Sequence, residues 1–320
     1  MERGNLTLKD VYCIIVVYNK LLKDSVTFNC LKDMKDVNVI ICDNSTKDFG
    51  NEDYLKGYNF TYINMNGNKG LSKAYNAALN HLRGLFGTSF YSGSPQGGPI
   101  EPMGPNHSYL SNGLRGTQNL SSSGLAAGIG EQKEDGESNK LGLLCLFDDD
   151  TFLPNDYFDE LLKENLSADI FLPIVCDEVG ILSPCKFNGL SVKRIKNLKE
   201  LDKKNITGIN SGMAISLEVF EDYSYDENYF LDYIDHDFLR AMKLKNKKIK
   251  VLNIKLNQSF SGNDTSNLES SINRFKIYKK DFKYFYRENF KSKIFANISI
   301  LKRIFYLILK FKSLKFLIKR

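Results

Sequence analysis

Three consecutive aspartates, Asp148-Asp149-Asp150, follow directly on the apolar run 141–147 (LGLLCLF). Such a run reads as a buried strand, so these carboxylates emerge at the carboxyl edge of a sheet, where open α/β sheets bind ligands. In an extended segment Asp148 and Asp150 point to one side. Two such carboxylates can hold a hard divalent cation that also takes phosphate oxygens. A solvated acidic turn before a helix at Pro154 would use the same residues. A second polar group, Asp43-Asn44-Ser45, also ends an apolar run. Its carboxylate can accept hydrogen bonds from a nucleobase or ribose, or close an Asx turn. In the third group, Asn66 to Asn76 (NGNKGLSKAYN), two glycines open a helix and let a ligand approach the backbone. Lys69 or Lys73 could meet a phosphate there. The segment is neither a Walker loop nor a GxGxxG, which weighs against ATPase and dinucleotide readings. The fourth group is Asn210-Ser211-Gly212 followed by 225–237 (YDENYFLDYIDHD), with five acidic residues among aromatics. A carboxylate between aromatic walls suits a general base facing a hydroxyl acceptor, and aromatic faces suit sugar rings. Acidic residues dressing a helix N-terminus are the plainer alternative.

The elements around these groups read as a parallel sheet. Strands are expected at 11–17 (VYCIIVV), 37–42 (VNVIIC), 59–64, 141–147, 169–175, 208–216 and 248–254. Helices are expected at about 20–34, 70–82 and 154–164, after the acidic cluster, and from 266 onward. Strand and helix alternate as in doubly wound α/β folds. The pattern breaks at 84–140, which holds twelve of the 23 glycines and four of the seven prolines. This stretch reads as a loop or disordered insert, more readily a tolerated insertion than a lid.

The 320 residues suffice for one large α/β domain, and 42% apolar with 26% charged residues is ordinary for a globular chain. No run is apolar enough to span a bilayer. The six cysteines form no CxxC pair and read as buried thiols in a reducing compartment. Three histidines make a multi-His zinc site a poor fit. The start, MERGNLTLKD, has no secretory apolar segment, which points to the cytoplasm. Net charge is +6, yet residues 291–320 carry nine Lys/Arg and no Asp or Glu, leaving 35 − 38 = −3 elsewhere. The basicity therefore belongs to a tail, which argues against nucleic acid as partner. In that tail Ile294, Ile298, Leu301, Phe305 and Ile308 follow helical spacing, with Lys302, Arg303 and Lys310 on another side. A basic amphipathic helix lying on an anionic membrane fits this pattern, and so does a terminal helix packed on the domain.

The four groups, in this order, resemble the family 2 glycosyltransferases, and within them bacterial rhamnosyltransferase-like members. The resemblance covers about 11–83 and 141–262. It rests on Val17-Tyr18-Asn19, CDNS at 42–45, NGNKGLSKAYN at 66–76, LFDDDT at 146–151 and DENYFLDYIDHD at 226–237. It implies a GT-A fold, a mostly parallel sheet flanked by helices. On this reading 1–83 and 141–265 form the catalytic domain, 84–140 the insert and 266–320 a helical, membrane-associating tail. The implied donor site comprises Val17, Tyr18, Asp43, Asn68, Gly70, Asp148 and Asp149. Asp148 and Asp150 match the family's DxD, which binds ribose and a metal diphosphate, the metal being Mn2+ or Mg2+. Asp235 best matches the family's base, with Asp232 and Asp237 as rivals; Ser211, Gly212 and Tyr233 fall on the acceptor side. Many members carry a histidine metal ligand where this chain reads LNQSFSG at 256–262, so Gln258 departs from the pattern. Arg240 comes one residue early, and the insert is atypical.

The implied reaction is inverting transfer of a sugar, rhamnose being the candidate, from a nucleotide-diphosphate donor to a saccharide or lipid-linked saccharide in surface polysaccharide synthesis. The implied location is cytoplasmic, peripheral on the inner face of the cell membrane. The rivals are a UDP-hexose donor on the same fold, a nucleotidyltransferase making the activated sugar, and a non-catalytic nucleotide-sugar-binding module. A nucleotidyltransferase should carry a Gly-rich basic loop after the first strand, and Tyr18-Asn19-Lys20 offers none.

Overall fold

The computed structural model describes residues 6–87, 142–258 and 267–317. The strands are β1 (Val11–Val17), β2 (Asn38–Asp43), β3 (Thr61–Asn64), β4 (Leu143–Asp148), β5 (Thr151–Phe152), β6 (Ile170–Asp177), β7 (Gly180–Ser183), β8 (Cys185–Phe187), β9 (Val192–Lys193), β10 (Ile206–Thr207), β11 (Met213–Ser216) and β12 (Ile249–Gln258). The α-helices are α1 (Val26–Leu31), α2 (Asn51–Leu55), α3 (Leu71–Phe86), α4 (Tyr157–Lys163), α5 (Ile234–Leu244), α6 (Leu268–Phe285) and α7 (Phe290–Phe311). The main sheet runs β3-β2-β1-β4-β11-β6-β12-β5, with β7 beside β6. β3, β2, β1 and β4 are mutually parallel; β11 is antiparallel to β4 and β6, and β12 is parallel to β6. The ends of β1, β2, β4, β6 and β12 and the start of β11 therefore lie along one edge. β8, β9 and β10 form a small separate sheet.

The run VYCIIVV forms a central strand because both of its faces are covered. Ile14 packs with Ile40, Tyr75 and Leu144 under α3, α5, α6 and α7, while Cys13 and Ile15 pack with Phe28, Tyr157 and Phe158 under α1 and α4. Continuous apolar strands suit this two-sided burial.

Several expected elements differ in extent. The helix expected at 20–34 is the six-residue α1 preceded by a 3-10 turn at Leu22–Asp24. Ser25 caps α1 by accepting from Phe28 N–H at 3.1 Å, which sets its start. α4 begins at Tyr157 rather than at Pro154. The strand expected at 208–216 is regular only over β11; the preceding Asn210-Ser211-Gly212 is a turn, with Met213 N–H donating to Asn210 O at 2.8 Å. β12 runs on to Gln258, which the shorter expected strand did not include. Most of the insert reading, and 259–262 of the LNQSFSG segment, lie outside the described residues. Tyr12 and Phe86 meet at a ring-centroid distance of 5.5 Å. The flanks of the insert therefore sit at the sheet's amino edge, away from the aspartates.

Candidate functional site

The aspartate triplet is gripped by α1. Ser25 Oγ donates to Asp149 O at 2.8 Å, and Thr27 Oγ1 is shared between the carbonyls of Asp148 and Thr151 while accepting from Thr151 N–H. These backbone bonds fix the turn and leave the carboxylates free to aim at one another. Asp148 accepts from Ser211 Oγ, so the turn before β11 reaches across to the end of β4. Gln258 Nε2 donates to Asp148 Oδ2 at 2.9 Å and to Asp150 Oδ1 at 3.2 Å. Both carboxylates thus converge on one point at the end of β12. Asp149 turns away and pairs with Lys20 Nζ at 2.5 Å.

Burial pushes Asp148 up to about 6; Asp150 and Asp149 add to the rise, and the bonds from Ser211 and Gln258 oppose it. Burial also raises Asp150, while Gln258 and Lys20 hold it down. A buried pair of like charges resists double ionisation, and a dication between them relieves that cost. The donor chemistry fits such an ion. The carboxylates are hard oxygen ligands, and Gln258, whose NH2 now spans them, has its Oε1 buried without a hydrogen-bond partner, so a turn of the amide would present that oxygen to the ion. Among the described residues no cluster of three or more His, Cys, Asp or Glu could hold a metal. Water or phosphate oxygens would have to complete the shell, as magnesium sites commonly do. A cavity of about 330 Å3 opens beside this point, lined in part by Asp150, Phe152, Asp177 and Gln258.

On the other side of β1, Asp43 is almost fully buried. Its carboxylate accepts from Asn51 Nδ2 at 2.8 Å, Tyr62 OH at 2.9 Å and Ser45 N–H at 2.9 Å. Tyr18 is half exposed at the same edge, whereas the Val17 side chain lies in the core. Asn68 Oδ1 closes a turn with Gly70 N–H at 3.2 Å. Gly70 has φ +90°, and a Cβ there would meet Phe230 O at 2.7 Å. The close approach that this glycine permits is made by the chain's own acidic segment. Leu71 N–H donates to Phe230 O at 2.7 Å, Ser72 Oγ donates to Tyr229 O, and Asn76 exchanges bonds with Tyr225 at 2.9 Å. The third and fourth sequence groups are therefore one contact, about 150 residues apart in the chain.

The acidic residues of that segment divide by partner. Asp232 takes both arms of Arg274, one at 2.7 Å. Asp237 accepts from Arg240 at 2.5 Å and from Tyr229 OH at 3.2 Å. Asp235 has no Lys or Arg partner among the described residues. It accepts from His236 N–H at 2.7 Å, and His236 Nε2 lies 3.9 Å away. Burial raises its carboxyl above the usual range, Asp232 adds to the rise, and His236 opposes it. Burial holds the Tyr75 hydroxyl well above its ordinary value, and both Asp148 and Asp235 add to the rise, so each carboxyl group lies within electrostatic reach of that hydroxyl. Tyr75 OH is bridged to the 210–212 turn by Asn210 Nδ2 at 3.4 Å.

The residues expected on the acceptor side hold walls. Ser211 is buried against Asp148. Gly212, with φ +74°, sits where a Cβ would strike Leu256 at 2.3 Å. Tyr233 has its ring among Phe282, Phe285 and Tyr286 of the α6 region, and a left-handed backbone at φ +67°.

This arrangement sets carboxylates for a polar head at the end of β4 and a separate base candidate at the start of α5. Residues 12–88 match the family described as Glycosyl transferase family 2. The fold is GT-A. No curated protein matches the sequence. Among solved structures the chain resembles S. aureus TarS, at 13% identity over 92% of this chain and 43% of that one, with a TM-score of 0.43. It also resembles the S. aureus TarS 1-349 fragment in complex with UDP, at 14% identity over 92% of this chain and 72% of that one, TM-score 0.44. A third is 4-diphosphocytidyl-2C-methyl-D-erythritol synthase from Anaerococcus prevotii, at 10% identity over 82% of this chain and 92% of that one, TM-score 0.38. The chain thus spans under half the length of full TarS.

Sequence reasoning missed Ser25 and Thr27 under the aspartate turn, Asn51 and Tyr62 on Asp43, and Tyr75 against Asn210. It also missed Arg274 and Asp281 on α6. Ser25 carried an N-cap signal. The others reach their partners only through tertiary packing.

Proposed function

We propose that the chain is an inverting glycosyltransferase that moves a sugar from a nucleoside-diphosphate donor to a hydroxyl of a saccharide or lipid-linked saccharide. The observation that carries the reading is the division of acidic groups. Asp148 and Asp150 meet at one point, and Asp235 stands apart from them in the first turn of α5, with no Lys or Arg partner among the described residues. In this reading the catalytic unit is 1–83 with 141–265. Tyr18, Asp43 and Asn68 border the nucleoside, while Gly70 is taken up by Phe230 behind them. Asp148 and Asp150 would hold Mg2+ or Mn2+ with the diphosphate, and Gln258 stands third at that point. A bound dication would neutralise charge building on the leaving diphosphate.

Asp235 accepts the acceptor hydroxyl proton. The acceptor oxygen forms its bond to the anomeric carbon, and the bond from that carbon to the β-phosphate oxygen breaks with its electron pair. One displacement inverts the centre and needs no covalent intermediate. Burial raises the Asp235 carboxyl above its ordinary value and makes the carboxylate a stronger base. Asp232 and Asp237 are weaker candidates because arginines already neutralise them. Rhamnose is the candidate sugar, and a UDP-linked hexose the alternative.

The test is thermal stability against uridine, thymidine, guanosine and adenosine diphosphates, each with and without Mg2+ or Mn2+. The expected result is stabilisation by one nucleotide that requires the cation and disappears in Asp150→Asn. A folded protein that responds to no pair would overturn the reading.

The C-terminal helices favour a peripheral membrane location for this activity. α7 packs inward through Ser292, Ala296, Ile300 and Leu307, and exposes Phe290, Ile294, Ile298, Leu301, Phe305 and Leu309 on its other side. The tail's nine basic residues and lack of acidic ones suit an anionic surface. Among the described residues no helix is long and apolar enough to cross a membrane.

A further inference from the structure

We propose that Asp281, on α6, is a positioning residue for the catalytic base, an inference that rests on Asp235 being that base. Asp281 is fully buried. Its carboxylate accepts three successive backbone N–H groups: Phe230 at 3.1 Å, Leu231 at 2.8 Å and Asp232 at 2.9 Å. Consecutive amides aimed at one anion form a nest, and the bonds are charge-assisted. Seven residues earlier, on the same face of α6, Arg274 clasps the Asp232 side chain. From the opposite side, α3 fixes the carbonyls of Tyr229 and Phe230 through Ser72 and Leu71.

The segment 229–232 is therefore held between two helices. It passes directly into Tyr233, whose left-handed backbone starts α5, and Asp235 lies in the first turn. A left-handed tyrosine persists only where its surroundings over-determine it. The Asp281 nest supplies that constraint through the backbone, and Tyr233's ring is locked into the same helix by Phe282 at a centroid distance of 5.3 Å. Asparagine at 281 would keep the size but not the charge that strengthens these bonds. One oxygen, Oδ2, takes all three amides, and the other takes Phe230 N–H at 3.2 Å, so an asparagine NH2 would face that N–H donor.

The test measures nucleoside diphosphate released from dTDP-rhamnose, UDP-glucose and UDP-GlcNAc, across pH, for the wild type and Asp281→Asn. On a donor that the wild type turns over, the variant is expected to lose about 10²-fold in kcat. Its KM for that donor should hold, and the low-pH limb of kcat should move. Asp281→Glu keeps the charge but displaces the nest, and it should fall between the two; it decides the matter if the asparagine variant does not fold. Unchanged kcat and pH profile in either folded variant would overturn the positioning role alone. Failure of the wild type to release product from any donor would overturn the catalytic reading and this inference with it.

Discussion

Asp148 is a residue held at the expense of the fold, as the proposed ligand site would require. Its carboxyl is pushed up to about 6 by burial, against an ordinary value of 3.8. The folded chain thus binds that proton more tightly than the unfolded chain does. The ionised carboxylate costs native stability above pH about 6, and the cost fades to nothing below 3.8. By linkage its ceiling is about 3 kcal/mol. Asp148→Asn should therefore raise Tm by several degrees at pH 8 in the absence of divalent cation, and leave it unchanged near pH 4. Thermal denaturation at the two pH values checks this, and a variant less stable at pH 8 would contradict it. The pairing of Asp148 with Asp150 was readable from sequence, because alternation in an extended segment aims them to one side, whereas their shared bond to Gln258 was not. Asp43 was readable only in part. Its place at a strand end was plain, but its bonds to Asn51 and Tyr62 depend on packing that local pattern does not encode.

Elements were readable where their period is strong and their burial complete. β1, β2, β4 and β6 stand within two residues of the expected runs, because two-sided burial demands unbroken apolar sequence. α1 and β11 are shorter than expected. Around them, side-chain to backbone bonds replace regular structure, as when Ser25 and Thr27 turn toward the aspartate carbonyls. The tail shows a different limit. Sequence posed a choice between a membrane helix and a helix packed on the domain, and α7 has a face for each. Its buried face joins the core shared with α3 and α5, while its outward stripe stays apolar. Each basic residue near an anionic bilayer adds about 1 kcal/mol. The protein should sediment with phosphatidylglycerol vesicles at low salt and less with phosphatidylcholine. Leu301→Glu with Phe305→Glu should remain in the supernatant at unchanged Tm, since both side chains are exposed. Equal sedimentation of that variant would contradict membrane seating.

On the scale of the whole molecule, the sheet gathers groups from distant parts of the chain onto one edge. The order β3-β2-β1-β4 sets Asp43 and Asp148 on neighbouring sides of β1, and the antiparallel β11 returns Ser211 to Asp148. The GT-A arrangement was within reach of sequence because its motifs recur in order. The bracing of the acidic segment by α3 and α6 was not, because those contacts span about 50 to 150 residues. In the proposed reading the architecture also separates two tasks that the acidic residues could otherwise share, with ligand holding at β4 and proton transfer at α5. The most direct test of this division is Asp235→Asn, assayed both for nucleoside-diphosphate stabilisation and for sugar transfer from the responding donor. The nucleotide stabilisation should be unchanged and the transfer rate should fall by about 10² to 10⁴. Transfer at the wild-type rate, or loss of the nucleotide response, would contradict this division.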